Sequence, residues 1–302
     1  MDFDTFLDQA WADHATDSPA VAGRLNAQAL ALVGEAAQVV PLAHLAHHVW
    51  GEHLGRWQEG LQFLQQLAAL PAAAAGGGAD STATQALRRY QASLRLAGGL
   101  ADERGQWAPG DGIRITAMAA ANLGCHDASR ATALLEEALD KAEAAALPDQ
   151  DPAHRALAIA GNGMAGALEE KAGRSAAETS LMVRAAQVAR QYWARAGTWL
   201  ETERADYRLA MSWLQAGDLA QARQHAQACL DRVQAHGSVA LEDFFGWEAL
   251  GTVERAAGNA AGHAQALARA GDAWARLEDG DKAWCRASLE KLQAGVNFAA
   301  LA

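Results

Sequence analysis

Apolar residues recur at intervals of three and four along most of the chain, which is the spacing of one face of an α-helix. The N-terminal example comprises Phe3, Phe6, Leu7, Ala10, Trp11 and His14. No segment keeps the strict alternation of apolar and polar residues that indicates a β-strand. Alanine, the best helix former, dominates the apolar residues, whereas β-branched residues are sparse. The pattern therefore predicts an all-α protein.

Glycine and proline divide the helical pattern into segments. Ser18 and Pro19 form a helix start, with a capping serine before a proline in the first turn. The alanine- and glycine-rich run from Pro71 to Ala79 predicts a flexible loop. We expect five segments: N-terminal helices with a first helical hairpin (1–70), the loop (71–81), a degenerate helical segment (82–112), helical repeats (113–280) and a C-terminal capping helix (281–302).

A repeated unit is clearest at 209–222, where a small residue (Ala210), an aromatic residue (Trp213) and a Gly-Asp turn at Gly217 follow one another. A second unit starts with Trp247, Leu250 and Gly251 and turns at Gly258 and Asn259. Both units resemble the tetratricopeptide repeat (TPR) family. Glu254 departs from the pattern, because the family prefers tyrosine there.

The resemblance implies a right-handed superhelix of antiparallel helical hairpins, a TPR-like solenoid. The turn glycines Gly173, Gly217 and Gly258 are 44 and 41 residues apart, whereas the family repeat has about 34 residues. Each unit is therefore longer by two to three helical turns.

Close packing within a hairpin requires small or size-complementary residues at facing positions. The repeat register predicts that Ala210 faces Ala222. It also predicts that Gly251 faces His263 and that His48 faces Gly60. In the last two pairs a glycine makes room for an imidazole.

Charge and composition exclude several classes of protein. The net charge is −11 and the pI is near 5.3, which is unsuited to nucleic acid or an anionic membrane because both require a basic surface. The three cysteines lie far apart in sequence and predict no disulfide framework. The acidic N-terminus is unlike a signal peptide, and no apolar run approaches the roughly 20 residues of a membrane span. We expect a cytoplasmic protein.

Gly161, Gly163 and Gly166 match the dinucleotide-binding pattern G-x-G-x-x-G. That motif requires a preceding strand and a βαβ unit, but the residues before it form an alanine-rich helical pattern. We interpret the glycines as sites of close helix packing and predict no cofactor.

A histidine cluster contains His44, His47, His48, Glu52 and His53. His44, His48 and Glu52 are spaced by four residues and share a helix face. Two histidines and a carboxylate could bind zinc with one open position, which would make the protein a metal-dependent enzyme. The segment is not H-E-x-x-H, however, and the repeat register places His48 in a helix–helix contact. We favour a packed, hydrogen-bonded row of histidines.

Further candidate residues come from the resemblance, which places six side chains on the first-helix face that lines the concave groove of TPR proteins. They are Arg204, Tyr207, Met211, Phe245, Glu248 and Arg255. Aromatic residues of this kind are enriched at interaction hot spots. The alternative is that Tyr207 and Phe245 only pack between neighbouring units.

The expected function is non-enzymatic binding of a protein or peptide. TPR domains that grip C-terminal carboxylates do so with Lys, Asn and Arg, whereas the other groove positions here are mostly apolar. They include Leu42, Leu45, Val49, Ile113 and Met164. An apolar or helical partner therefore fits better. A peptide-sensing regulator that acts on a separate effector remains an alternative.

Overall fold

A computed structural model describes residues 1–75, 81–100 and 104–294. Within these ranges the backbone forms α-helices and short π- and 3-10-helical segments, and no β-strand. The prediction of an all-α protein is confirmed. The chain divides into two compact units, Met1–Ala160 and Gly161–Ala302.

The first unit contains the following helices: α1 Phe3–Asp13, α2 Ser18–Arg24, α3 Leu30–Leu32, α4 Val39–His47, α5 Trp57–Ala68, α6 Pro71–Ala75, α7 Thr82–Ala97, α8 Pro109–Leu123 and α9 Ala128–Ala144. The unit boundary falls within α10, Pro152–Glu170. The second unit continues with α11 Ala176–Ala196, α12 Trp199–Ala216, α13 Leu219–His236, α14 Ala240–Ala256, α15 Ala260–Ala275 and α16 Asp279–Gln293. Two π-helical segments, Leu25–Ala29 and His48–His53, continue α2 and α4.

Short polar side chains begin many of the helices by accepting a backbone N–H that has no partner within the helix. Examples are Ser81, Ser175, Thr198 and Asp218. At α2 the capping residue is Asp17, whose carboxylate accepts the N–H of Ala20 at 3.1 Å. The predicted cap at Ser18 was therefore wrong by one residue.

Part of the predicted loop at 71–81 is helical, because Pro71–Ala75 forms α6. Alanine favours helix, and proline is tolerated in a first helical turn. Residues 76–80 of that loop lie outside the described residues. The C-terminal helix is observed as α16, and residues 295–302 of the predicted capping segment lie outside the described part of the chain.

Within each unit, consecutive helices pack on one another, an arrangement compatible with a helical solenoid. In the first unit α7 packs against α4, α5 and α8, and α8 packs against α9. In the second unit α11 through α15 pack in sequence, and α16 packs against both α14 and α15.

Two of the predicted facing pairs can be compared with the structure. Nδ1 of His263 lies 2.8 Å from the carbonyl oxygen of Gly251, so this pair is confirmed. Gly60 faces Trp50 instead of His48: a Cβ added at Gly60 would lie only 2.9 Å from the Cβ of Trp50. The predicted register assumed a regular α-helix, whereas residues 48–53 form a wider π-helical turn that changes the direction of the side chains. Ala210 and Ala222 are both buried, and their contact stays a prediction.

The G-x-G-x-x-G residues all lie inside α10, and the residues of α10 before them are helical. A Cβ added at Gly161 would lie 2.6 Å from the carbonyl oxygen of Ala185 and 2.9 Å from the amide nitrogen of Ala189, both in α11. Gly161 therefore permits a backbone-to-backbone approach of α10 and α11, as the packing interpretation predicted.

Replacing Gly161 with alanine is expected to lower the free energy of unfolding by about 1–3 kcal/mol, because backbone atoms cannot rotate away from the added methyl group. Urea unfolding of the full chain measures the change. The matched control is Gly271→Ala, since Gly271 lies in α15 with open space around it. That control should be neutral or stabilising by up to about 1 kcal/mol. Equal stability of the two variants would refute the close approach.

Candidate functional site

The six predicted groove residues lie on two helices of the second unit. Arg204, Tyr207 and Met211 lie on α12, and Phe245, Glu248 and Arg255 lie on α14. The two helices are in contact. Intervals of three and four on α12 direct its three side chains to the same face.

Tyr207 is at the centre of this group. Its hydroxyl donates a hydrogen bond of 3.1 Å to Oε2 of Glu248, and its ring meets that of Phe245 edge to face at 5.7 Å between centroids. Burial, together with the Glu248 charge, raises the pKa of the Tyr207 phenol well above its usual value of 10, so it remains a donor at neutral pH. Tyr207 and Met211 also pack against a cluster of buried alanines. The two side chains therefore contribute to helix packing while remaining partly exposed.

Both groove arginines have partners within the chain. Nη2 of Arg204 lies 2.7 Å from Oε1 of Glu242, a buried carboxylate on α14. Nη1 of Arg255 donates to the carbonyl oxygen of Lys291 on α16 at 2.7 Å. The charged groove residues thus connect helices of the second unit, and Met211 and the aromatic side chains make up the rest of the face.

Trp284 on α16 belongs to this face but was not among the predicted site residues. It is 66% exposed, and its ring centroid lies 5.2 Å from that of Phe245. Tyr207, Phe245 and Trp284 form a continuous aromatic row across α12, α14 and α16. In the sequence Trp284 lies within the predicted capping helix (281–302), where no local pattern distinguishes an exposed from a buried tryptophan.

Two carboxyl groups one helical turn apart on α12 are buried near this face. Asp206 forms ion pairs with Arg190 and Arg232 at 2.7 and 2.8 Å, and its Oδ1 lies 3.1 Å from Nδ1 of His225. Glu203 is only 1% exposed, and its Oε1 has no hydrogen-bond partner. Neither group is predictable from the sequence, since charge spacing does not reveal which carboxylates have partners from other helices.

The predicted metal ligands lie in the first unit and do not form a single ligand set. Oε2 of Glu52 lies 3.1 Å from Nδ1 of His48. His44 instead packs against Trp11 and stacks on Tyr90, with ring centroids 5.2 and 6.2 Å apart. Among the described residues, the group that could hold a metal ion is His14, His48 and His53.

Burial and neighbouring charges set the protonation of these histidines. Burial lowers the pKa of His53 to about 4, with a contribution from the charge of His48. Burial also opposes the charged form of His48, but the hydrogen bond and charge of Glu52 outweigh it and raise the His48 pKa. His53 is therefore neutral at pH 7, whereas proton binding at His48 is favoured by the carboxylate beside it.

His47 contributes to the packing of the first unit and is not among the described residues that could hold a metal ion. It is buried, with Nε2 at 2.9 Å from the Ser93 hydroxyl and 3.1 Å from Nδ2 of Asn122. Burial lowers its pKa to about 4, so the ring is neutral in the fold. For His47, the predicted packed and hydrogen-bonded histidine is confirmed.

The sequence matches no protein-family model, and no curated protein matches it. The resemblance to the TPR family therefore depends on the repeat pattern alone. In the described part of the chain, no helix is both long enough and apolar enough to traverse a lipid bilayer.

Proposed function

We propose that this protein is a non-enzymatic, TPR-like binding scaffold of the cytoplasm, and that it holds a protein or peptide segment against the aromatic row. The observation that carries the proposal is the 66% exposure of Trp284 in ring contact with Phe245. Single exposed apolar residues are normal on protein surfaces. Connected, partly exposed aromatic rings on three helices are typical of a partner site.

The chemistry of the surrounding residues favours an apolar partner. Glu248 already accepts the Tyr207 hydroxyl, and Glu242 is already paired with Arg204. Arg255 is bound to a backbone carbonyl. A partner would gain little from charged groups at these positions, whereas the aromatic rings offer apolar area with low conformational entropy. An amphipathic helical segment that presents its apolar face to the row fits this surface best.

The repeat turns support the TPR-like part of the proposal. Gly173, Gly217 and Gly258, the turn glycines of the repeat pattern, all have positive φ, at 68°, 84° and 72°. The Gly251–His263 contact agrees with the repeat register. A right-handed superhelix is the arrangement that such hairpins would build.

Replacing Trp284 with alanine is expected to weaken peptide binding at least tenfold, because truncating an aromatic hot spot costs about 2 kcal/mol or more. Helical peptides selected from a displayed library on the wild-type protein serve as probes, and calorimetry measures their Kd. Thermal stability should change little, since the side chain is mostly exposed.

The matched control is Val239→Ala, which removes another exposed apolar side chain (44% exposed) from the second unit. It should leave the Kd unchanged. The proposal fails if the library yields no binder, or if the selected peptides bind Trp284→Ala as tightly as Val239→Ala.

A further inference from the structure

Three imidazoles converge in the first unit from separate positions in the chain. His14 follows the end of α1, and His48 and His53 lie at the two ends of one π-helical segment. The ring centroids are 5.1 Å apart for His14 and His48, 5.2 Å for His14 and His53, and 4.6 Å for His48 and His53. Each ring offers a nitrogen within 4.8 Å of those of the other two.

The second nitrogen of two of these rings has an acceptor within the chain. Nδ1 of His48 lies 3.1 Å from the Glu52 carboxylate, and Nδ1 of His14 lies 2.5 Å from the carbonyl oxygen of Trp11. A ring that donates its Nδ1–H in this way keeps the Nε2 lone pair free to act as a ligand. Metal-binding histidines in proteins are commonly oriented by such a carboxylate or backbone carbonyl.

The distance between the rings suits a small metal ion. Nε2 of His48 lies 3.0 Å from Nε2 of His53. Two imidazole ligands at about 2.0–2.1 Å from a tetrahedral zinc ion are roughly 3.3 Å apart. For His48 and His53, an adjustment of a few tenths of an ångström would therefore replace their direct contact with coordination of an ion, and the His14 nitrogen, within 4.8 Å of both, would move in to join them.

The surroundings would protect such an ion from solvent on one side. The indole of Trp11 lies against His14, His44 and His48, with centroid distances of 5.0, 5.2 and 5.5 Å. An apolar shell of this kind limits the access of water to a metal site.

We propose that His14, His48 and His53 bind one Zn²⁺ ion, that Glu52 orients His48, and that the fourth coordination position is open to water. Imidazole nitrogens favour zinc and related divalent transition metals over calcium or magnesium, which prefer oxygen ligands. Binding would release the second proton of any protonated His48 to solvent, because only the neutral ring can act as a ligand. This set shares only His48 with the ligands that helical spacing predicted. The π-helical turn brings His53 to His48, and the fold brings His14 from a distant position.

Calorimetric titration of the chelator-treated full chain with ZnCl₂ tests the proposal. The expected result is one Zn²⁺ per chain, with affinity lowered at least tenfold by His14→Gln and by His53→Gln. Glu52→Gln is expected to lower the affinity about 10–100-fold through the orientation of His48. The matched control is His44→Gln, which removes a histidine of the same cluster that is not a ligand and should leave the affinity unchanged.

A second measurement uses the wild-type chain alone and so does not depend on the folding of variants. Co²⁺ added in place of Zn²⁺ should produce the intense visible absorption of a four-coordinate site, and Zn²⁺ should displace it. The absence of stoichiometric Zn²⁺ binding, or the weak spectrum of six-coordinate Co²⁺, would overturn the proposal. A different result would favour the ligands predicted from helical spacing, which are His44, His48 and Glu52. In that case His44→Gln would lose Zn²⁺ affinity, whereas folded His14→Gln and His53→Gln would keep it.

Discussion

Replacing Asp206 with asparagine should lower the free energy of unfolding by about 3–5 kcal/mol at pH 7, the usual cost of removing one partner from a buried ion pair. Asp206 is 1% exposed and lies between Arg190, Arg232 and His225. Burial alone would raise the pKa of its carboxyl, but hydrogen bonds from His225 and Arg232 and the charge of Arg190 outweigh burial and lower it. The neutral amide cannot balance the two guanidinium charges.

Urea unfolding of the full chain as a function of pH measures this effect. Because the folded pKa of Asp206 lies below its unfolded value of 3.8, the ionised carboxylate stabilises the fold above that value, and this contribution is lost as the pH falls through the folded pKa. The difference between wild type and variant should therefore shrink in acid. Asp231→Asn, an exposed aspartate on α13, is the matched control and should change stability by less than about 0.5 kcal/mol. A similarly small effect of Asp206→Asn would show that the ion pairs of Asp206 contribute nothing to the free energy of unfolding.

Replacing Glu203 with glutamine is expected to stabilise the protein by roughly 4 kcal/mol at pH 8, because a shift of one pKa unit corresponds to about 1.4 kcal/mol. Burial and the nearby negative charge of Glu242 raise the pKa of Glu203 from 4.5 to about 8. The fold therefore holds a proton that the unfolded chain releases above pH 4.5. Glutamine keeps the shape and size of the protonated carboxyl and has no proton to lose.

The sign follows from proton counts in the two states. Between pH 4.5 and 8 the folded state binds more protons at Glu203 than the unfolded state, so its contribution to stability falls as the pH rises. The stability difference between Glu203→Gln and wild type should accordingly grow from pH 4 to pH 8. Glu290→Gln, at an exposed position of α16, is the matched control and should show no such trend. A difference that is constant with pH would mean that Glu203 is ionised in the fold.

Much of the secondary structure follows from the sequence because helix formation depends on local properties. Apolar spacing, alanine content and the glycine turns predicted the all-α class, and the helices of the second unit begin and end near those turns. Where a predicted boundary was wrong, neighbouring residues favour different local structures. Pro71–Ala75 is helical because alanine there favours helix over the loop suggested by the glycines that follow.

The candidate sites were less predictable because each combines residues from several helices. The resemblance placed Tyr207 and Met211 on one helix face, and the structure brings Phe245 and Glu248 into contact with Tyr207. The resemblance could not place Trp284, since the exposure of a side chain on α16 depends on what α14 and α15 leave uncovered. Among the histidines, ideal α-helical geometry grouped His44 with His48, whereas the π-helical turn groups His48 with His53.

By itself, then, the sequence determined the properties that depend on near neighbours along the chain: helix content, the repeat turns and the close-packing glycine at 161. Tertiary structure alone decided which charged and aromatic groups have partners. Asp206 forms ion pairs with arginines of two neighbouring helices, whereas Oε1 of Glu203 on the same helix has no hydrogen-bond partner. His14, which follows the end of α1, contacts His48. The physical reason is that burial and electrostatic pairing depend on distances in space between residues far apart in sequence, which helical periodicity does not specify.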